Sequence, residues 1–298
     1  MSDHGTLMHR AALASLSVTV FLIALKFVAY IATDSVSMLA SLADSGLDFF
    51  ASMINLVAVR SSLTPPDREH RFGHGKAEPL AGLAQGAFIA GSATFLIIEA
   101  VSRLTQPHVI ERETVGFIVM GIAIAATIGL VGYQRMVVAK TASLAISSDQ
   151  SHYTSDLITN VGVVVSLILS AQFGWKYADP LIAIAIALFL AWTSWGVFRA
   201  SSDQLMDHEL PDEDRAKIKS LVMRHADVRN LHDLRTRASG LNTFIQFHIE
   251  LDADISLTRA HEISDAVEAD VCGAFPHAEI LIHQDPAGIE THPELMRS

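Results

Sequence analysis

Asp44 and Asp48 stand four residues apart inside a stretch that otherwise has the composition of a lipid-embedded helix. This i,i+4 spacing places both carboxylates on one face of the helix. A charged side chain near the centre of a bilayer costs at least about 2.5 kcal/mol, so such residues are rare and are functional by default. The pair therefore predicts a partner that neutralises the two carboxylates inside the membrane.

His152 and Asp156 repeat the i,i+4 pattern in a later apolar stretch. If the two pairs face each other, they offer three carboxylate oxygens and one imidazole nitrogen to a four-coordinate divalent cation, for which Zn²⁺ is the natural candidate. The alternative is that each pair makes only hydrogen bonds between helices. Two matched pairs, one of them with a histidine, favour the metal site.

A polar segment between two apolar stretches, PPDREHRFGHGKAEPL, supplies Asp67, His70 and His74. These three side chains predict a loop metal site, and the two glycines beside the histidines make the backbone pliable. A solvated polar loop with two incidental histidines is the alternative, and spacing alone leaves both open. With only three side chains, such a site would hold its metal weakly.

Four histidines and a carboxylate fall on predicted strands and a helix of the C-terminal part: His232, His248, His261, His283 and Asp285. His283 and Asp285 are two residues apart and so share one face of a strand. Gln284 would point to the opposite face or support the ligands from outside. Together the five side chains could hold two metal ions bridged by Asp285, whereas packed or solvated histidines are the open alternative.

Six stretches are long and apolar enough to cross about 30 Å of hydrocarbon. They lie at 11–32, 37–60, 79–102, 114–136, 146–173 and 178–200. The chain has 298 residues, 50% of them hydrophobic, and a positive mean hydropathy of +0.35, which together are too apolar for an ordinary soluble domain. Small residues are frequent in these stretches, including GLAQG at 82–86, which indicates close approach of helices.

An even number of spans places both termini on the same side of the membrane. The loops on that side contain most of the basic residues: Arg10, Arg60, Arg68, Arg71, Lys76, Arg135, Lys140 and Arg199. The opposite side has Arg103, Arg112 and Lys176. The positive-inside rule therefore predicts cytoplasmic termini. The first apolar run is too long for a signal peptide, so we interpret it as a retained helix.

The pattern changes after about residue 207 to that of a small soluble domain. A helix is predicted after Pro211 over 211–226, a hairpin around Gly240 from strands 230–239 and 242–252, a helix over 256–275 capped by Ser256, and a last strand over 277–285. The sequence thus predicts an α-helical membrane protein with six transmembrane helices (1–206). A C-terminal α+β cytoplasmic domain (207–298) of ferredoxin-like αββαβ order follows.

Charge and cysteine content restrict the function. Residues 201–298 carry 9 Lys/Arg against 19 Asp/Glu, a net charge of −10, whereas residues 1–200 carry 12 against 13. This acidic tail argues against nucleic acid as a partner and is compatible with cations. Cys272 is the only cysteine, so an intrachain disulfide and thiolate metal cages are excluded.

These residues, in this order, resemble the cation diffusion facilitator family, and closely its bacterial zinc and iron efflux members. The resemblance extends over nearly the whole chain. It is carried by TDSVSMLASLADSGLDFFAS, HRFGHGKAE, SDQSHYTSDLITNVGV, YADPLIAIAIA and LMDHELP.

The resemblance implies a homodimer in the bacterial inner membrane that exchanges a divalent metal for protons. It assigns the transport site to Asp44, Asp48, His152 and Asp156, the loop site to Asp67, His70 and His74, and the binuclear cytoplasmic site to His232, His248, His261, His283 and Asp285. It also implies a charge interlock between Lys76 and Asp207 where the two domains meet. Ser151 stands where some relatives have a larger apolar residue that gates the site, so the resemblance does not carry their gating over to this chain.

The predicted mechanism is alternating-access export, without covalent chemistry, in which protons replace the metal because its ligands must be deprotonated to bind it. A metal receptor without transport, a channel and a membrane metalloenzyme are the rivals. HEISD at 261 is the nearest match to a zinc-protease motif and lacks the second histidine. The ligand types suit Zn²⁺, Cd²⁺ and Fe²⁺ as transported and regulatory ions, and leave Mn²⁺ and Co²⁺ open.

Overall fold

A computed structural model describes residues 3–33, 36–105, 114–173 and 178–288. The chain divides into two compact units, Met1–Ser202 and Asp203–Ser298. Arg112 and Lys176, which contribute to the predicted orientation in the membrane, lie outside the described residues.

The first unit consists of long helices that coincide with the predicted spans. These are α1 (Asp3–Thr33), α2 (Val36–Ser62), α3 (Ala77–Thr105), α4 (Thr114–Thr141), α5 (Leu144–Phe173) and α6 (Ala178–Leu205). At 1.5 Å per residue, 27 to 31 residues extend about 40 to 46 Å, well beyond the hydrocarbon thickness. The helices therefore continue past most of the predicted apolar boundaries.

Among the described residues, five helices are long and apolar enough to cross a membrane. The sixth, α5, contains the polar run SSDQSHYTSD at 147–156. Large apolar side chains point outward, such as Trp192 and Trp195, which are 72% and 69% exposed. Polar side chains such as Gln85 and Gln134 are buried. This distribution is opposite to that of a soluble protein and fits a bundle surrounded by lipid.

Helix α3 packs closely on α6 through the small residues of the GLAQG segment. A Cβ atom on Gly82 would overlap Ser201 Oγ, and one on Gly86 would lie 3.3 Å from the Phe198 ring. Ser194 Oγ donates a hydrogen bond of 2.9 Å to the Gly86 carbonyl, so the two backbones are near neighbours. The predicted close approach of helices at this segment is confirmed.

A buried carboxylate, Asp149, connects α5 to three other helices. Its Oδ2 accepts hydrogen bonds from Ser15 Oγ of α1 (2.6 Å) and Gln134 Nε2 of α4 (2.7 Å), and its Oδ1 accepts one from Gln85 Nε2 of α3 (3.2 Å). At the start of α5, Glu78 Oε2 accepts hydrogen bonds from Ser143 Oγ (2.6 Å) and Ala145 N (3.2 Å). These bonds position α5, since a buried polar group without a partner is costly.

The second unit has the predicted αββαβ order. Its elements are α7 (Asp212–Val222), β1 (Asn230–Ser239), β2 (Asn242–Leu251), α8 (Leu257–Ala274) and β3 (Ala278–Pro286). Helix α7 ends four residues before the predicted boundary because Arg224 N and His225 N bond to carbonyls three residues back, which tightens the last turn. Ser256 caps α8 as predicted, since its side chain accepts a hydrogen bond from Arg259 N.

The three strands form one sheet in the order β1-β2-β3, antiparallel between β1 and β2 and parallel between β2 and β3. Gly240 has a positive φ of 60° at the hairpin turn. Ile245, Phe247 and Ile249 of β2 pack with α7 and α8 in one hydrophobic core. Because side chains alternate along a strand, His248 lies on the other face of the sheet, away from both helices.

Candidate metal centres

Within the helical bundle, Asp48 of α2 meets His152 and Asp156 of α5. His152 Nε2 lies 3.3 Å from Asp48 Oδ1 and 3.6 Å from Asp156 Oδ2. One possible ligand atom from each of the three residues lies within 4.8 Å of the other two. Asp44 lies one helical turn before Asp48, is exposed, and does not belong to this group among the described residues.

The three side chains fit a divalent cation by type and by burial. His152 is 5% exposed, Asp48 17% and Asp156 30%, so their charges are largely removed from solvent. Asp156 Oδ2 is buried and has no hydrogen-bond donor among the described residues. Carboxylate oxygens and imidazole nitrogens are common ligands of Zn²⁺. A cation at this position would give the buried Asp156 Oδ2 the partner that it lacks among the described residues.

The imidazole of His152 is held in place by its neighbours. Its ring makes edge contacts with Phe88 (6.3 Å between centroids) and Tyr153 (5.6 Å). The Tyr153 hydroxyl is hydrogen-bonded to Thr19 Oγ1 of α1 and Ser52 Oγ of α2, each at 2.6 Å. Residues on α1, α2 and α3 thus constrain the part of α5 that carries the histidine.

A cation that the residue spacing does not predict lies beside this group. Lys26 Nζ of α1 donates hydrogen bonds to the Ser41 carbonyl (3.1 Å) and to Ser45 Oγ (2.6 Å) of α2. The available signal was a lone lysine inside the first apolar stretch. Asp149 was also missed, because neither its burial nor its partners on three other helices follow from spacing.

The loop between α2 and α3 brings Asp67, His70 and His74 together. His70 Nδ1 lies 3.5 Å from Asp67 Oδ1, and His74 Nε2 lies 3.4 Å from Asp67 Oδ2. His74 Nδ1 lies 3.4 Å from the Thr64 carbonyl, which can only accept. In the tautomer with the proton on Nδ1, that nitrogen donates to this carbonyl, and Nε2 is available to a cation beside Asp67.

The Asp67 carboxylate is shaped by the turn itself. Its Oδ1 accepts hydrogen bonds from the backbone N–H groups of His70 (2.6 Å) and Glu69 (2.8 Å). The His70 N–H, followed by the Glu69 N–H and the two imidazoles, holds the pKa of Asp67 below its usual value. The Asp67 carboxylate is thus ionised at neutral pH and oriented by two backbone hydrogen bonds, so it can bind a cation.

On the open face of the sheet, three histidines stand side by side. His232, His248 and His283 occupy the same register position on β1, β2 and β3. Asp285 contacts all three: its Oδ2 lies 2.8 Å from His248 Nδ1 and 3.3 Å from His232 Nε2, and its Oδ1 lies 3.1 Å from His283 Nε2. Oδ2 thus faces His248 and His232, whereas Oδ1 faces His283.

Burial raises the pKa of Asp285, but the hydrogen bond from His248 and the nearby imidazoles outweigh it, so the net pKa is below the usual value. Two further carboxylates, which sequence reasoning missed, border the row. Asp233 Oδ2 lies 3.8 Å from His248 Nε2, and Glu250 Oε1 lies 3.9 Å from His232 Nε2. Asp233 reaches the site through an irregular register and a positive φ of 48°, which strand alternation does not predict.

His261 is not brought to this row within the chain. It lies on α8, which packs on the other face of the sheet, and its Nδ1 is 3.5 Å from Asp265 Oδ1. Gln284 points to α8 as alternation predicts, and its Nε2 donates to Ser264 Oγ at 2.7 Å. The participation of His261 in a metal site therefore stays a prediction.

The predicted interlock residues lie in different units, and their pairing also stays a prediction. Within the second unit, Asp207 Oδ2 accepts a hydrogen bond from Arg237 Nη1 at 3.1 Å. Arg237 in turn lies over the Phe244 ring, 4.7 Å from its centroid. Asp207 thus has a cationic partner in its own unit.

Comparison with known proteins gives two family matches. Residues 12–206 match the cation efflux transmembrane domain, and residues 210–287 match the cytoplasmic domain of cation efflux proteins. The cation-efflux pump FieF of Shewanella oneidensis is 44% identical over 94% of both chains. FieF of Klebsiella pneumoniae is 43% identical over 96% of this chain and 95% of its own.

Protein p34 of Rickettsia rickettsii is 42% identical over 98% of this chain and 96% of its own. Among solved structures, the metal-bound C-terminal domain of the CzcD transporter from Thermotoga maritima matches 26% of this chain and 91% of its own. Its sequence identity is 28% and its TM-score 0.25.

Proposed function

The chain belongs to the cation efflux family, and from this premise we propose that it exports a divalent metal ion, Zn²⁺ foremost, from the cytoplasm in exchange for protons. The single observation that carries the proposal is the contact of Asp48, His152 and Asp156 inside the helical bundle. Asp44 completes the four ligands when α2 turns or shifts to bring its carboxylate inward. Cd²⁺ and Fe²⁺ are further substrates, because the same ligand types accept them.

Exchange follows from the chemistry of the ligands. A metal ion binds carboxylate and neutral imidazole, so its arrival releases protons and its departure lets protons return. When the helices open to the cytoplasm, the four ligands take up the metal. When they open to the other side, protons displace it. The helices supply the ligands and the change of access, and no covalent step takes place.

The acidic domain serves as a metal sensor of the same protein. Asp285 and the three strand histidines hold regulatory ions, with His261 as a further ligand, and metal binding there favours the homodimer and biases the membrane helices. These ions supply positive charge to a region that carries a net charge of −10. The loop site of Asp67, His70 and His74 passes ions toward the membrane site. The termini are cytoplasmic and the membrane is the bacterial inner membrane.

The test is metal uptake into proteoliposomes that contain a metal-sensitive dye and a pH-sensitive dye, with Zn²⁺, Cd²⁺, Fe²⁺ and Mn²⁺ compared. We expect Zn²⁺ uptake with counterflow of protons in the wild type and its loss in Asp48→Ala. Asp212→Ala, which removes an exposed carboxylate from α7, is the matched control and should transport normally.

Metal binding without uptake would instead establish a membrane metal receptor. Uptake without proton counterflow would establish a channel. Either result would remove the exchange mechanism, and intact Zn²⁺ uptake by Asp48→Ala would remove the assigned site.

A further inference from the structure

The proposed transport cycle makes no use of Lys26, although this residue lies inside the first membrane-spanning helix. It is the only lysine or arginine between residues 11 and 59. An ammonium group within a bilayer is costly unless it is paired or reaches the interface. Lys26 does not reach outward, because its Nζ is hydrogen-bonded to two groups of α2.

Those two bonds place the ammonium beside the helical turn that carries the aspartate pair. Ser45, whose Oγ accepts at 2.6 Å, is the direct neighbour of Asp44 and stands three residues before Asp48. The positive charge of Lys26 interacts electrostatically with Asp44 of α2 and with Asp156 of α5. Lys26 thus shares the electrostatic environment of the proposed metal ligands without being one of them.

The charged side chains around Lys26 come from the helices that pack on α1. Helix α2 contributes Asp44 and Asp48, and α5 contributes His152 and Asp156. Helix α5 also carries the buried Asp149, which is not a proposed ligand and accepts hydrogen bonds from Ser15, Gln134 and Gln85. Helix α4 has no acidic, basic or histidine residue between 114 and 132. Lys26 is therefore the cation that α1 contributes beside the turn of α2 that carries the aspartate pair.

We propose that Lys26 is a fixed counter-charge that sets the net charge of the transport site to minus two and so matches the site to a divalent cation. With a neutral imidazole, three carboxylates and one ammonium leave two negative charges, which one divalent ion neutralises. A monovalent ion would leave one negative charge, and a trivalent ion would add one positive charge. An uncompensated charge is costly in a low dielectric. The site loaded with a divalent ion is neutral, so it alone changes access across the bundle at low electrostatic cost.

The inference rests on the proposed transport site and deepens it. Without the ammonium, the site attracts Zn²⁺ more strongly, yet the loaded site keeps one negative charge. Removing a positive charge beside the site lowers the electrostatic repulsion of a divalent ion, and we expect a gain of about tenfold in affinity, or about 1.4 kcal/mol. Tighter binding together with a residual charge should slow release. Affinity and maximal rate are therefore expected to change in opposite directions.

The experiment compares four full-length proteins: wild type, Lys26→Gln, Lys26→Arg and Lys140→Gln. Lys140 is an exposed lysine in the last turn of α4 and serves as the matched control. Zn²⁺ uptake into proteoliposomes gives the maximal rate. Equilibrium Zn²⁺ titration in detergent gives the affinity, taken from the portion of binding that Asp48→Ala abolishes.

We expect Lys26→Gln to bind Zn²⁺ about tenfold more tightly and to transport it about tenfold more slowly, whereas Lys26→Arg and Lys140→Gln stay within about twofold of wild type. Unchanged affinity in Lys26→Gln overturns the inference. Equal damage in Lys26→Arg and Lys26→Gln also overturns it, because shape rather than charge would then matter. If the wild type binds Zn²⁺ but does not transport it, only the exchange mechanism is wrong. The affinity comparison still decides the role of Lys26 in that case. Absence of Asp48-dependent binding defeats both.

Discussion

Asp67 has two roles in the loop: its carboxylate accepts the hydrogen bonds that shape the turn, and it supplies the negative charge of the proposed metal site. Asp67→Asn keeps an oxygen that can accept the N–H groups of His70 and Glu69, so the turn should persist while the negative charge is lost. We expect Zn²⁺ affinity at the loop to fall by about tenfold or more, on the scale of losses that follow even from disturbed outer ligands. Isothermal titration with Zn²⁺ measures this change.

Glu69→Gln is the control for that substitution, because Glu69 is an exposed carboxylate in the same loop. It should leave the affinity unchanged, and equal losses in both variants would mean that only the general charge of the loop matters.

The pKa of Asp67 is lowered, so its stabilising contribution is complete above the usual aspartate pKa. It is lost only as the pH falls through the lowered value, well below neutral pH.

At the same scale, spacing predicted which residues meet when they lie on one element or on two matching faces. Of the two predicted i,i+4 pairs, Asp48, His152 and Asp156 lie together, whereas Asp44 is exposed and lies outside the group among the described residues. Lys26 could not be placed in this way, because its partners lie on another helix and depend on how α1 and α2 are rotated. Asp233 could not be placed either, because an irregular register redirects its side chain.

At the scale of helices, the α3–α6 contact depends on the absence of side-chain volume at Gly82. Gly82→Ala would force a Cβ atom against Ser201 Oγ and bring it to 3.1 Å from Ser148 Oγ. Overpacking of this kind costs about 1 to 3 kcal/mol, which offsets the roughly 0.5 to 1 kcal/mol that alanine gains over glycine in a helix. We expect a lower melting temperature in detergent for this variant.

Gly91→Ala is the matched control, because a Cβ at Gly91 of the same helix has nothing within 4 Å. It should leave the melting temperature unchanged or raise it slightly through better helix propensity. Equal melting temperatures for the two variants would contradict the close contact of α3 with α6.

The elements themselves were largely predictable, for reasons that differ between the two units. The strand bounds of β1 came out as predicted, because turn residues mark both ends of a strand with clear alternation. The membrane helices run past the apolar stretches, since the hydrophobic pattern records the lipid boundary and not the end of the hydrogen-bonded helix. The early end of α7 depended on tight turn bonds that no pattern marks.

At the scale of the whole molecule, charge is divided unevenly between the two parts of the chain. Residues 201–298 have a net charge of −10, so two copies of this domain in the proposed homodimer repel each other. Simple salt weakens this repulsion by screening. Zn²⁺ would act differently at the proposed regulatory site, because ions held by Asp285 and the strand histidines would add positive charge at defined positions within the domain.

We therefore expect micromolar Zn²⁺ to strengthen association of the full-length protein. At the same ionic strength, micromolar Na⁺ should have no such effect. Asp285→Asn should lose this response, because one neutral amide oxygen cannot bridge two ions or balance their charge. Asp254→Asn, which removes an exposed carboxylate of the same domain, should keep it. Sedimentation equilibrium in detergent, with and without a chelator, measures the dimer dissociation constant. A similar response to Zn²⁺ in both variants would mean that diffuse charge neutralisation, and not the Asp285 site, controls association.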